Sequence, residues 1–257
     1  MIFDTHAHYD DDAFDEDRDS LLASMKEGGV GTILNACASV DGLQDTVALT
    51  EKYPFIYGAV GVHPDDADKM TQETLDEIRR ISRMEKFLAI GEIGLDYYWH
   101  KEKEEHRIQQ EMFRAQMDIA REEKMPFMIH SREAAEDTLR IIEEYMKGGM
   151  YGGVIHCFSY SREIAAKYLN MGLYLGIGGV VTFANARKLK EVVEYAPLSA
   201  IVLETDSPYL APKPFRGKRN SSLNLPYVVD AIAELKGVTP EEVIEVTREN
   251  ACRLFGL

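Results

Sequence analysis

His6-Ala7-His8 stands just past a short apolar run at the start of the chain. In extended backbone, residues two apart point to the same side, so the two imidazoles converge on one point and can share a metal ion. Alone the pair is a weak signal. Five of the seven histidines (His6, His8, His63, His130 and His156) lie at or just beyond the end of a β-rich run, and Glu92 and Asp206 hold equivalent places. Neutral imidazole and ionised carboxylate are ligands for divalent transition metals. His6, His8, Glu92, His130, His156 and Asp206 are too many donors for one open tetrahedral site, which takes about three protein ligands and a water. They suit two ions about 3.5–4 Å apart, with Glu92 arriving from the fourth strand to bridge them. Histidine-rich ligation favours zinc, manganese, nickel, cobalt or iron, with magnesium a lesser option.

The elements that must position these residues alternate steadily. Strands are expected at Ile2–Thr5, Thr32–Asn35, Ile56–Val60, Leu88–Ile90, Phe127–Ile129, Gly153–Ile155, Leu173–Ile177 and Ala200–Leu203. Helical stretches fall at Arg18–Glu27, Gly42–Lys52, Gln72–Met84, Lys103–Lys124, Ala134–Lys147 and Arg162–Asn170, with a weaker candidate at Asn185–Glu194. In the longest, Ile108, Met112, Met117 and Ala120 recur at near-helical spacing, and Pro126 blocks continuation. Thr239-Pro240-Glu241-Glu242 reads as a capping box that opens a last helix, Glu241 to Leu254. The chain has 257 residues; eight strand–helix alternations in about 250 residues are the signature of a TIM-type (β/α)8 barrel. The expectation is therefore one domain over residues 1–257 with an extra C-terminal helix. An open doubly wound sheet shows the same alternation, since strand order is not written in sequence. In a barrel, all the candidate ligands follow their strands and share the end where barrel enzymes place their sites.

Composition narrows the setting. No apolar run reaches the roughly 20 residues needed to cross a bilayer, and the N-terminus lacks a basic region followed by an apolar stretch. A cytoplasmic protein is expected, with no membrane partner, and a monomer. Cys37, Cys157 and Cys252 are scattered, which argues against a disulfide framework or a thiolate zinc site. A net charge of −15 disfavours tight non-specific binding of duplex nucleic acid. An anionic substrate needs a local basic patch. Lys213, Arg216, Lys218 and Arg219 cluster in the long irregular stretch Ser207–Asn224, and Arg132 lies two residues past His130.

Several blocks together resemble a known family. Ile2-Phe3-Asp4-Thr5-His6-Ala7-His8, Val60-Gly61-Val62-His63-Pro64, Gly91-Glu92-Ile93-Gly94-Leu95-Asp96, Pro126 to Arg132, His156-Cys157-Phe158-Ser159 and Leu203-Glu204-Thr205-Asp206-Ser207-Pro208 resemble, in order, the blocks of the TatD metal-dependent deoxyribonucleases. The resemblance spans nearly the whole chain. It implies one metal held by His6, His8, Glu92 and Asp206, another held by Glu92, His130 and His156, and His63 as a nearby substrate-side or supporting residue. The implied reaction is 3'-5' exonuclease cleavage of single-stranded or frayed DNA by metal-activated hydroxide, with Asp206, Glu92 and His63 as the catalytic residues. Asp206 is both ligand and base. Two cations less two carboxylates and a hydroxide leave one positive charge, which suits a phosphodiester. Arg132, Lys213, Arg216, Lys218 and Arg219 are the expected phosphate contacts. One departure stands out: after Arg216-Gly217-Lys218-Arg219-Asn220 the chain continues as Ser221-Ser222-Leu223-Asn224-Leu225 where relatives often carry Glu-Pro, which bears on substrate preference.

Other signals weigh less. The acidic run Asp10 to Asp19 reads as a solvated helix start. Glu204 is either support for Asp206 or a buried, paired carboxylate. Tyr97, Tyr98 and Trp99 either stack on a base or, more in keeping with a rim loop, cover the barrel top. Two alternatives to a nuclease stand: hydrolysis of an amide, ester or lactone, including an aminoacyl ester, and a non-catalytic metal-binding module.

Overall fold

The computed structural model describes residues 1–257. Its strands are β1 (Ile2–Ala7), β2 (Val30–Ala36), β3 (Ile56–Val60), β4 (Phe87–Asp96), β5 (Phe127–Arg132), β6 (Gly153–Ile155), β7 (Tyr174–Ile177) and β8 (Ile201–Leu203). The helices are α1 (Arg18–Ala23), α2 (Leu43–Lys52), α3 (Gln72–Ser82), α4 (Lys103–Glu122), α5 (Ala135–Lys147), α6 (Arg162–Asn170), α7 (Arg187–Tyr195), α8 (Leu225–Lys236) and α9 (Pro240–Phe255). The strands form one sheet in chain order, β1 to β8. The last strand returns to the first: Ala7 bridges Ser207 in parallel, Asp206 N donates to His6 O at 3.0 Å, and His8 N donates to Ser207 O at 2.8 Å. An open doubly wound sheet leaves those edges apart, so the fold is the (β/α)8 barrel.

Backbone contacts divide the chain into two compact units, Met1–Asn35 with Cys157–Leu257, and Ala36–His156. In the first, β1 pairs with β2 and β7 with β8. Helix α9 packs on β1 and β8, where Phe255 meets Phe3 at 6.0 Å between ring centroids. Asn250 Nδ2 donates to the carbonyls of Leu198 and Ile201, tying that helix to the start of β8. In the second unit, β3, β4, β5 and β6 pair in parallel. Ile78 and Ile81 of α3, Phe113 and Met117 of α4, and Ile141 and Ile142 of α5 are buried beside apolar strand residues such as Ile90, Ile93 and Ile129. Such continuous burial on both faces is what parallel strands under helices require.

The boundaries differ from expectation in an instructive way. Strand β1 runs on to Ala7, β4 to Asp96 and β5 to Arg132. Hydrophobicity fades where side chains become polar, but backbone pairing persists, so His6, Glu92 and His130 are presented by strands, while His8, His63, His156 and Asp206 follow just beyond strand ends. Helix α1 ends at Ala23, short of Glu27, and the chain turns through Gly29 at φ +82°. Helix α8 lay unnamed behind the long loop. Leu225, Val228, Val229, Ile232 and Ala233 give it a buried stripe, with Pro226 in its first turn. No helix is long and apolar enough to cross a membrane.

Candidate metal centre

Within the unit Ala36–His156, three imidazoles face one carboxylate. Glu92, carried by β4, lies with Oε1 at 2.9 Å from His130 Nδ1, 3.6 Å from His156 Nε2 and 3.9 Å from His63 Nε2. His63 and His130 meet edge to face at 4.3 Å. His63, Glu92 and His130 each offer a ligand atom close enough to share one ion. His63 turns Nδ1 toward Asp65, accepting from its backbone N–H at 3.2 Å, which leaves Nε2 aimed at Glu92. The sequence places His63 beside the metals; the structure brings it within reach of being a ligand.

Two glycines let β4 deliver Glu92 this way. A Cβ at Gly94, whose φ is +147°, would stand 1.9 Å from the His130 carbonyl oxygen, and one at Gly91 would stand 2.5 Å from Met128 Cβ. Both strands can approach only because those side chains are missing.

Asp96 was not anticipated as a site residue. It is buried, and its Oδ2 takes His130 Nε2 at 3.1 Å. Burial opposes charge on His130, but Asp96 and Glu92 outweigh it and raise the imidazole pKa to about 9. A carboxylate on the far nitrogen of a ligand histidine fixes its tautomer and strengthens its basicity. Asp96 itself is held by α4: Gln109 accepts from Asp96 N at 3.0 Å and donates to Asp96 O at 3.1 Å. Two turns further on, Gln116 clamps Val62 in the same manner, at 2.8 and 3.1 Å, next to His63. A period-two reading of β4 reaches Asp96 from Glu92, so that signal existed. Nothing local marks the glutamines, because their partners lie 13 and 54 residues away. Replacing Gln109 by leucine strands a buried N–H and C=O, and we expect a loss of about 2–4 kcal/mol in urea unfolding; a loss under 0.5 kcal/mol would show the clamp to be dispensable.

Within the other unit a second cluster forms. His6 Nε2 and His8 Nε2 face each other at 3.0 Å, and Asp206 Oδ1 lies 3.4 Å from His8 and 3.8 Å from His6. His6 and His8 are both buried, and Asp206 is 18% exposed. Two unshared nitrogen lone pairs do not approach this closely unless a proton or a cation lies between them, so this donor set fits a metal. Asp206 has φ +57°, a left-handed conformation that aspartate tolerates better than bulkier residues.

Behind this cluster lies Asp4, also missed, although it shares the alternation with His6 and His8. Burial raises its pKa to about 7, against the hydrogen bonds it receives from Ser222, Thr205 and His6 N. Ser222 Oγ donates at 2.6 Å and Thr205 Oγ1 at 2.7 Å, while Ser222 also engages the Tyr9 hydroxyl at 2.8 Å. The unusual segment Ser221–Leu225 thus sends a buried serine to the strand that carries His6 and His8. Glu204 proves to be a structural acceptor as well: its Oε1 takes Cys157 N at 2.6 Å, and the missing Cβ of Gly176 makes room for its carboxylate.

The expected phosphate contacts have varied surroundings. Lys213, Arg216 and Lys218 are exposed, with Arg216 lying over the Phe183 ring at 4.5 Å. Arg219 is engaged: it forks onto Asp17 at 2.6 and 2.7 Å and donates to Ala13 O. It would have to release Asp17 to hold phosphate. Arg132 is exposed and lies 3.9 Å over Tyr98.

Histidine and carboxylate donors gathered at the ends of parallel barrel strands define a metal-binding (β/α)8 protein. The chain matches the family described as TatD related DNase over residues 3–256, and it belongs to that family. It is 44% identical to an uncharacterized metal-dependent hydrolase of Bacillus subtilis (strain 168), YabD, over 99% of each chain. It is 30% identical to a 3'-5' ssDNA/RNA exonuclease, TatD, of Salmonella typhimurium (strain LT2), covering 99% of this chain and 98% of the relative. The solved structure of YJJV, a TatD homolog from Escherichia coli K12, superposes with a TM-score of 0.92 at 28% identity, covering 100% of this chain and 98% of that one. The protein is a metal-dependent hydrolase of the TatD family.

Proposed function

We propose that the protein is a two-metal deoxyribonuclease of the 3'-5' exonuclease type, acting on single-stranded or frayed DNA as a single cytoplasmic, monomeric hydrolase domain over residues 1–257. The observation that carries this reading is the pair of histidine–carboxylate clusters, one around Glu92 and one around Asp206. The name of the Salmonella relative supports the substrate. His6, His8, Glu92 and Asp206 would hold one ion, and Glu92, His130 and His156 the other, with zinc, manganese, nickel, cobalt or iron preferred over magnesium. Bound divalent cations supply acidification of water and neutralisation of phosphoryl charge.

The chain's own residues do the rest. Asp206 accepts the proton of the attacking water. Asp96 keeps His130 turned with Nδ1 to Glu92. His63, steadied by Asp65, offers Nε2 to the reacting phosphate. Arg132, Lys213, Arg216 and Lys218 draw the phosphate backbone in, with Arg219 joining them only by exchanging its Asp17 partner.

An assay on end-labelled single strands tests this. Nucleotides should leave the 3' end, chelation should abolish release, and added manganese or zinc should restore it; His156→Ala should remain inactive in all conditions. Metal-restored cleavage of cyclic amides, lactones or aminoacyl esters, with DNA left intact, would replace the nuclease reading with the carbonyl one.

A further inference from the structure

Three aromatic residues follow β4, and the structure uses them differently. Tyr97 is consumed by packing: it stacks on His106 at 3.6 Å, and its hydroxyl donates to Asp137 at 3.0 Å. Tyr98 and Trp99 are left exposed, at 41% and 64%. Tyr98 and Trp99 therefore keep ring surface open to solvent, where an unpaired base could stack.

Nor are they loosely held. Asp96 Oδ1 accepts from Tyr98 N at 2.8 Å and from Trp99 N at 3.1 Å, while its other oxygen holds His130. Tyr97 N donates to Arg132 O at 2.9 Å, extending the β4–β5 pairing into the loop. The two exposed rings meet edge to face at 4.7 Å. The Arg132 guanidinium lies 3.9 Å over Tyr98 and 5.6 Å from Trp99, and Lys101 Nζ lies 5.3 Å from the Tyr98 ring. A pinned aromatic pair with two adjacent cations thus stands two strand positions beyond His130, about 7 Å along β5.

We propose that Tyr98, Trp99 and Arg132 form a stacking subsite for an unpaired nucleobase of the DNA strand whose phosphodiester is hydrolysed beside Glu92 and His130. The proposal deepens the nuclease reading and rests on it. The indole face is the platform. Tyr98 closes one side of it and is itself backed by Arg132. Arg132 and Lys101 offset the acidity of the chain where an anionic backbone must pass. Stacking on a ring face tolerates every base, so such a subsite selects single strands without selecting sequence. In a duplex each base is already stacked and paired, and that platform has nothing to hold.

Trp99 is the only tryptophan in the chain, so its emission reports on this place alone. Metal-free protein is titrated with a short oligothymidylate and with a fully abasic strand of equal length and charge, following Trp99 emission and, separately, the anisotropy of end-labelled strands. Oligothymidylate should quench Trp99 and bind about tenfold more tightly than the abasic strand. Trp99→Ala should bring the two strands to equal affinity, and Trp99→Phe should keep most of the difference. Equal binding of both strands to the unaltered protein would reduce the contact to charge and overturn the subsite. Binding by anisotropy with no change in Trp99 emission would overturn it too, leaving the nuclease reading intact. Absence of both binding and metal-restored cleavage would remove the two together.

Discussion

Glu92→Gln lowers metal-restored hydrolysis by about 10³-fold, equivalent to about 4 kcal/mol of transition-state stabilisation. Glutamine keeps the volume of the side chain and its place on β4, so the far-ultraviolet circular dichroism spectrum should not change. What it removes is the anionic oxygen that three imidazoles face at 2.9, 3.6 and 3.9 Å. A neutral amide presents one weak acceptor and two N–H groups to that same ring of nitrogens. Metal content measured on the dialysed protein should fall along with kcat. A variant that kept its metals and lost less than tenfold in kcat would show that Glu92 is not a ligand.

Asp206→Asn produces a loss of similar size by another route. Asp206 Oδ1 lies 3.8 Å from His6 and 3.4 Å from His8. Asparagine keeps the side chain's size and suits the same left-handed backbone, so Asp206→Asn should fold normally. It can neither balance a cation nor take a proton. We expect a fall of about 10³-fold in kcat, with little change in KM. Excess metal should restore occupancy but not rate, which separates the base role from the ligand role. Full recovery of rate at high manganese would assign Asp206 to metal binding alone.

The first-line chemistry was legible because it is written in residue type and alternation. His6 and His8 sit two apart on an extended run, and Glu92, His130 and Asp206 each follow an apolar strand. The structure sets His6 3.8 Å from Asp206 and Glu92 2.9 Å from His130. The supporting residues were less legible. Asp4 and Asp96 share the alternation with their histidines and glutamate, yet their roles depend on Ser222 and Gln109 from other elements. Arg219 was legible only in part: its place in a basic loop suggested phosphate, and its pairing with Asp17 comes from a distant segment of the chain.

By itself the sequence determined the eight strands, the helices between them and the polar residues at the strand ends, because local hydrophobic period and residue chemistry are properties of the chain. Only the tertiary structure decided that β8 returns to β1, that two glutamines of α4 brace the backbone beside His63 and Asp96, and that Trp99 is exposed while Tyr97 stacks on His106. Each of those depends on groups brought together from distant parts of the chain, and a linear pattern carries no record of which buried amide finds which partner.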